Sequence, residues 1–224
     1  MSSVADNLRL VQSGIPVSVR LVAVSKTKPV EIIKQAYDAG QRVFGENRVQ
    51  EILNKKDHLP SDIEWHMIGH LQTNKVKQII SFVSMIQSID SLKLLSVIDT
   101  EAAKAGKVID CLLEIHIAGE ETKSGFAEEE LDPVLEQVKN DEFNNVRICG
   151  VMGMATFTDD TRRVRQEFRH LREIFEKIKN QYFKNNPFFR EISMGMSGDY
   201  KIAVEEGSTM IRVGSLIFGE RNKI

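Results

Sequence analysis

Apolar residues along this chain gather in eight short runs, separated by longer stretches in which they recur at helical spacing. The runs at 21–27 (LVAVSKT), 42–47 (RVFGEN), 65–69 (WHMIG) and 85–90 (MIQSID) predict four strands, and 110–118 (DCLLEIHIA), 146–154 (VRICGVMGM), 191–197 (EISMGMS) and 210–218 (MIRVGSLIF) predict four more. Between them, amphipathic patterns predict helices over 29–40, 48–56, 71–82, 91–105, 128–139, 160–183 and 199–206. Pro29 opens the first of these and Gly40, Gly106 and Gly207 close others. Strands alternating with helices of this size make right-handed parallel βαβ units, and eight such units fit a (β/α)8 TIM barrel. An open doubly wound sheet is the competing architecture, but its GxGxxG turn is missing after the first strand, which runs into Ser25-Lys26-Thr27-Lys28-Pro29. An amphipathic segment at 4–12 predicts an extra N-terminal helix, covering the bottom of the barrel or packing on its side. No Pro/Gly/Ser-rich linker interrupts the pattern, so residues 1–224 read as a single domain.

Charge changes this picture little. Thirty basic and 32 acidic residues give a formal charge of −2, which supplies no global attraction for nucleic acid or an anionic membrane. The arginines at 162, 163, 165, 169 and 172 are interspersed with Glu167 and Glu173 and read as a solvated helix face. No run of about 18 apolar residues predicts a membrane span, and the start lacks a cationic segment leading into an apolar one, so a cytoplasmic protein is expected. The two cysteines, Cys111 and Cys149, lie in apolar runs and read as reduced core thiols. The five histidines show no ligand spacing, and no metal is expected.

In a barrel of this kind, reactive groups belong at the carboxyl ends of the strands. Lys26 closes strand one, Asn47 strand two, Met154 strand six and Ser197 strand seven. His66 lies in strand three, and Arg212, Gly214 and Ser215 fall in or after strand eight. A lysine in a dry barrel mouth loses its proton more readily, and its neutral amine can form an imine with an aldehyde. Lys28, followed by Pro29, falls in the loop. The glycines and serines of 193–198 and 214–215 sit where this fold binds phosphate, offering hydroxyls and unobstructed backbone N–H groups. Arg212, in an apolar strand, reads either as a partner of Glu46 or Asp199 or as a ligand contact. Facing a pyridine nitrogen, a guanidinium can only donate, which keeps that nitrogen unprotonated. His66 reads as a satisfied core histidine or as a ligand contact. The acidic segment 118–126 reads as a solvated loop whose Lys-Ser-Gly could lid the mouth.

Five motifs carry a family resemblance: AVSKTKP at 23–29, FGENRVQE at 44–51, WHMIGHLQTNK at 65–75, GMSGD at 195–199 and RVG at 212–214. Over 21–221 the chain resembles the pyridoxal phosphate homeostasis proteins, formerly called proline synthetase co-transcribed proteins. The resemblance implies a barrel like the N-terminal domain of alanine racemase, with pyridoxal 5′-phosphate (PLP) held as a Schiff base on Lys26. It further implies phosphate binding around Ser197, Gly214 and Ser215, Arg212 beside the pyridine nitrogen, and Asn47, His66, Met154 and Ser193 lining the pocket. The function implied is vitamin B6 homeostasis by a monomer that supplies or buffers PLP, with PLP-dependent apoenzymes as candidate partners and no catalytic residue of its own. The alternative is a PLP-dependent amino-acid racemase or decarboxylase. Barrel-type racemases need a second domain with an opposing acid/base, and the stretch 218–224 that closes this chain leaves no room for one.

Overall fold

The computed structural model describes residues 3–119, 125–140 and 143–220, so the centre of the 118–126 loop and the predicted lid at 123–125 lie largely outside the described residues. Eight parallel strands close on themselves in chain order: β1 (Arg20–Val24), β2 (Val43–Glu46), β3 (Glu64–Met67), β4 (Met85–Ile89), β5 (Ile109–Ile115), β6 (Val146–Gly153), β7 (Glu191–Ser193) and β8 (Met210–Val213). The ring shuts where β8 pairs with β1, setting Val22 beside Arg212 and Ala23 beside Val213. The helices are α1 (Val4–Ser13), α2 (Val30–Asp38), α3 (Val49–Lys56), α4 (Val76–Ile79), α5 (Leu92–Lys104), α6 (Glu128–Asn140), α7 (Thr161–Tyr182), α8 (Tyr200–Glu205) and α9 (Ser215–Phe218), and all but α4 and α9 fall where amphipathic patterns predict them. Among the described residues no helix is long and apolar enough to cross a membrane.

Period-two alternation sorts each strand between two cores. Outward residues such as Leu21, Ala23, Ile211 and Val213 join the large core beneath the helices. Inward residues Val22, Met85, Leu112, Cys149, Met152 and Met210 form a second cluster inside the barrel. Cys111 and Cys149 are buried free thiols in different cores. The longest helix, α7, buries Val164, Phe168, Leu171, Phe175 and Ile178 at i, i+3 and i+4 spacing. It starts where the Asp160 side chain accepts from the backbone N–H groups of Arg162 and Arg163. Asp160→Ala is expected to cost about 1 kcal/mol, the usual worth of such a cap, read as a lower urea midpoint at an unchanged slope.

Two expectations need correction. The run 210–218 is not one strand: β8 stops at Val213, Gly214 turns the chain, and α9 follows, burying Ile217 and Phe218. A nine-residue apolar run is ambiguous between strand and helix, and the geometry resolves it, because β1 offers β8 partners only as far as Val213. The helix expected over 71–82 is a 3-10 turn at Thr73–Lys75 that widens into the single turn of α4. The N-terminal helix packs on the flank rather than across the bottom. It lies against α2 and α9, with Asn7 donating to the Ile217 carbonyl at 3.1 Å.

Candidate functional site

A cavity of about 540 Å³ opens at the carboxyl ends of the strands, and Lys26, Asn47, Met154, Ser197, Arg212, Gly214 and Ser215 all line it. The inward face of β1 carries on past the strand end: Val22 is in the barrel interior, Val24 lines the cavity, and Lys26 follows at the same spacing, half-buried. Lys28 also reaches the cavity, but its ammonium donates to the Gly219 and Glu220 carbonyls at 3.0 and 2.9 Å. Lys28 thereby ties the β1 loop to the end of α9. Ile68 and Met196 complete an apolar wall, and Phe157, 96% exposed, stands at the rim.

One end of the cavity is a cradle of main chain and hydroxyls. Ser197 Oγ accepts from Gly214 N at 3.2 Å, which joins the loops after β7 and β8. A Cβ at position 214 would lie 3.0 Å from the Val24 carbonyl oxygen, so glycine allows this close approach to β1. Ser215 opens α9 beside it, and at Gly198 an added Cβ would meet open space. Asp199 lines the same end and accepts from Met196 N at 2.5 Å. Burial pushes its carboxyl up, although that hydrogen bond and Arg212 pull it down.

Arg212 forms part of the floor. Its Nη1 donates to the Ser193 carbonyl at 2.9 Å and to Ser193 Oγ at 2.7 Å, while Nη2 donates to the Gly153 carbonyl at 3.0 Å. Of the two readings of Arg212, the ion pair with Glu46 or Asp199 does not form: Glu46 is engaged with Ser25 and Lys55, and Asp199 acts on Arg212 through its field alone. Burial lowers the guanidinium to about 10, with Glu114 and Asp199 opposing, so the charge persists at neutral pH.

Because a guanidinium has no acceptor, its bond to Ser193 fixes the direction of everything behind it. Ser193 Oγ accepts from Arg212 and passes its own proton to Gln87 Oε1 at 2.7 Å. That turns the Gln87 amide nitrogen toward His66 Nδ1 at 2.9 Å, and toward Met210 Sδ at 3.1 Å. His66 Nδ1 therefore accepts, and the ring is neutral with its proton on Nε2. Burial, with Arg20 adding to it, lowers His66 to about 3. His66 and Ser193 are thus placed deeper in the barrel beside Met210, outside the cavity lining, where they back Arg212 instead of facing the opening. Gln87, which completes the chain, escaped sequence reasoning. Its signal was a polar residue at an inward position of an apolar strand.

The architecture is that of the alanine racemase N-terminal domain, a family whose profile matches residues 1–222. An alanine racemase of Clostridium difficile 630 superposes with a TM-score of 0.77 at 13% identity, over 99% of this chain and 56% of that one, a likeness of fold. Among curated proteins the chain is 42% identical over 203 residues to the pyridoxal phosphate homeostasis protein of Aquifex aeolicus, covering 90% of this chain and 87% of the relative. The human protein of the same name is 37% identical over 214 residues, covering 91% and 77%. PipY of Synechococcus elongatus, solved with PLP bound, superposes with a TM-score of 0.87 at 35% identity, over 97% of this chain and all of that one. The chain belongs to the pyridoxal phosphate homeostasis protein family.

Proposed function

We propose that this protein is a carrier of PLP in vitamin B6 homeostasis, holding the cofactor as a Schiff base on Lys26. The observation that carries the reading is convergence: an amine, a guanidinium and a hydroxyl-and-glycine cradle, from β1, β8 and the loops after β7 and β8, share one cavity. Their chemistry fits the group part by part. Lys26 supplies the nucleophile for an aldehyde. Ser197, Gly214 and Ser215 supply donors for a phosphate. Arg212 would offer a ring nitrogen only donors, and a ring left unprotonated there would be a poor electron sink. PLP would supply an electrophilic carbon with which amines condense, and Arg212 would restrain carbanion chemistry on it. Asn47 and Met154 line the remaining wall, and Ser193 and His66 serve the site by backing Arg212.

In this reading residues 1–224 act as one barrel, a cytoplasmic monomer that supplies or buffers PLP for PLP-dependent apoenzymes and turns over no substrate of its own. The relatives' shared name, a homeostasis protein and not an enzyme, supports the last point. Mixing the protein with PLP is expected to give the visible absorbance of a Schiff base, and borohydride should fix the label on the peptide bearing Lys26. Lys26→Ala should lose the band. A band of wild-type intensity in that variant would sink the assignment. Racemisation or decarboxylation of a common amino acid at about 1 per second or faster, an ordinary enzyme rate, would overturn the carrier role.

A further inference from the structure

Three charged residues of β2 and α3 converge behind Lys26. Lys55 is buried, and its ammonium donates to Glu46 Oε1 at 2.7 Å, Glu51 Oε2 at 2.9 Å and the Ser25 carbonyl at 3.0 Å, which uses all three of its protons. Glu46 Oε1 also accepts from Ser25 Oγ at 2.6 Å, and Glu51 Oε2 accepts from Thr27 N at 2.6 Å. The Ser25 carbonyl belongs to the peptide group before Lys26, and the Thr27 N–H to the one after it. Both peptide groups flanking the lysine are therefore gripped by side chains of one ionic cluster.

The grip has something to hold. Thr27 adopts a φ of 65°, a left-handed conformation that β-branched residues rarely take and that persists only where surroundings impose it. A buried ionic cluster is a poor source of net stability, since desolvation offsets most of its attraction. Here its donors and acceptors are directed at a three-residue stretch of backbone, which indicates a geometric role.

We infer that Glu46, Glu51 and Lys55 are positioning residues for Lys26, setting the backbone at its two sides so that the amine is presented to the cavity at the angle needed to attack an aldehyde. The inference rests on the reading of Lys26 as the Schiff-base lysine. In that step the amine nitrogen adds to the aldehyde carbon, the C=N bond forms and the aldehyde oxygen leaves as water, with no change of oxidation state. The cluster touches none of these atoms and acts through the backbone alone.

Two ligands separate positioning from general damage. Pyridoxal 5′-phosphate carries the aldehyde; pyridoxine 5′-phosphate has the same ring and phosphate with an alcohol in its place. In Glu51→Ala and Lys55→Met, the rate at which the visible band forms with pyridoxal 5′-phosphate is expected to fall about tenfold or more, as for other small displacements of a reacting group. Affinity for pyridoxine 5′-phosphate, measured by calorimetry, should stay within about twofold of wild type, because cradle and floor are untouched. Glu51→Gln keeps an acceptor oxygen for Thr27 N–H and should hold the rate within about threefold. It also serves as the test where a harsher variant fails to fold, as judged by the melting of the ligand-free protein. Equal losses for both ligands, wild-type rates in the alanine and methionine variants, or a glutamine variant as slow as alanine would each overturn the inference. A wild-type protein that forms no band with pyridoxal 5′-phosphate would instead remove the underlying reading, before any variant is compared.

Discussion

Replacing Arg212 by leucine will lower the unfolding free energy of the ligand-free protein by about 2 kcal/mol or more, the cost of leaving two buried carbonyls without their donor less the relief of no longer burying a charge. The substitution removes the three hydrogen bonds that the guanidinium makes to Ser193 and to the Gly153 carbonyl. Two buried carbonyls then lose a donor that leucine cannot supply, and an unmade buried hydrogen bond costs about 1–3 kcal/mol. Glu114 and Asp199 lose the positive field they share with Arg212. Arg212→Lys should cost less, because the charge survives, yet an ammonium cannot fork between Ser193 and Gly153 as the planar guanidinium does. Urea denaturation at pH 7.5 reads both variants. A leucine variant within about 1 kcal/mol of wild type would mean that these carbonyls are satisfied some other way. The floor of the cavity goes with the arginine, so affinity for pyridoxine 5′-phosphate should drop in the leucine variant, in contrast to the Glu51 and Lys55 variants.

This network also marks where sequence reading stops. Eight strands were legible because each is an apolar run closed by turn chemistry, and the positions of Lys26, Ser197 and Arg212 followed from the strand ends. The inward direction of Lys26 was not legible, since a lysine two residues past the end of LVAV can face either way; its place in the cavity lining shows it. Family resemblance placed His66 and Ser193 in the pocket wall, but a strand pattern carries no depth, and both lie lower in the barrel. Glu51 and Lys55 have the i,i+4 spacing of an ordinary solvated helix pair. Beyond each other they meet Glu46 and backbone groups 24 and 30 residues upstream, and side chain to backbone contacts of that span leave no periodic trace.

His66 gives the protein an acid-sensitive core. Its folded pKa is lowered to about 3 by burial, against an ordinary value of 6.5. The sign follows directly: below pH 6.5 the unfolded chain takes up a proton that folded His66 refuses, so stability is complete above 6.5 and falls as pH drops toward 3. The slope is about 1.4 kcal/mol per pH unit, so between pH 7.5 and 5.0 the loss from this group is about 2 kcal/mol. His66→Asn does not titrate and keeps an acceptor oxygen near the position of Nδ1, so its stability should fall by about 2 kcal/mol less over the same interval. Glu46 and Asp199, raised by burial, gain stability as pH falls toward their own range, but both are common to the two proteins and cancel in the comparison. Parallel urea-derived stabilities at the two pH values would sink the prediction. Protonation would also turn Nδ1 into a donor facing the Gln87 amide, itself a donor. To escape, the amide must rotate and withdraw Oε1 from Ser193 Oγ, which otherwise accepts from Arg212. Acid should therefore loosen the cavity floor before it unfolds the barrel, with affinity for pyridoxine 5′-phosphate declining on the acid side in wild type and less steeply in His66→Asn.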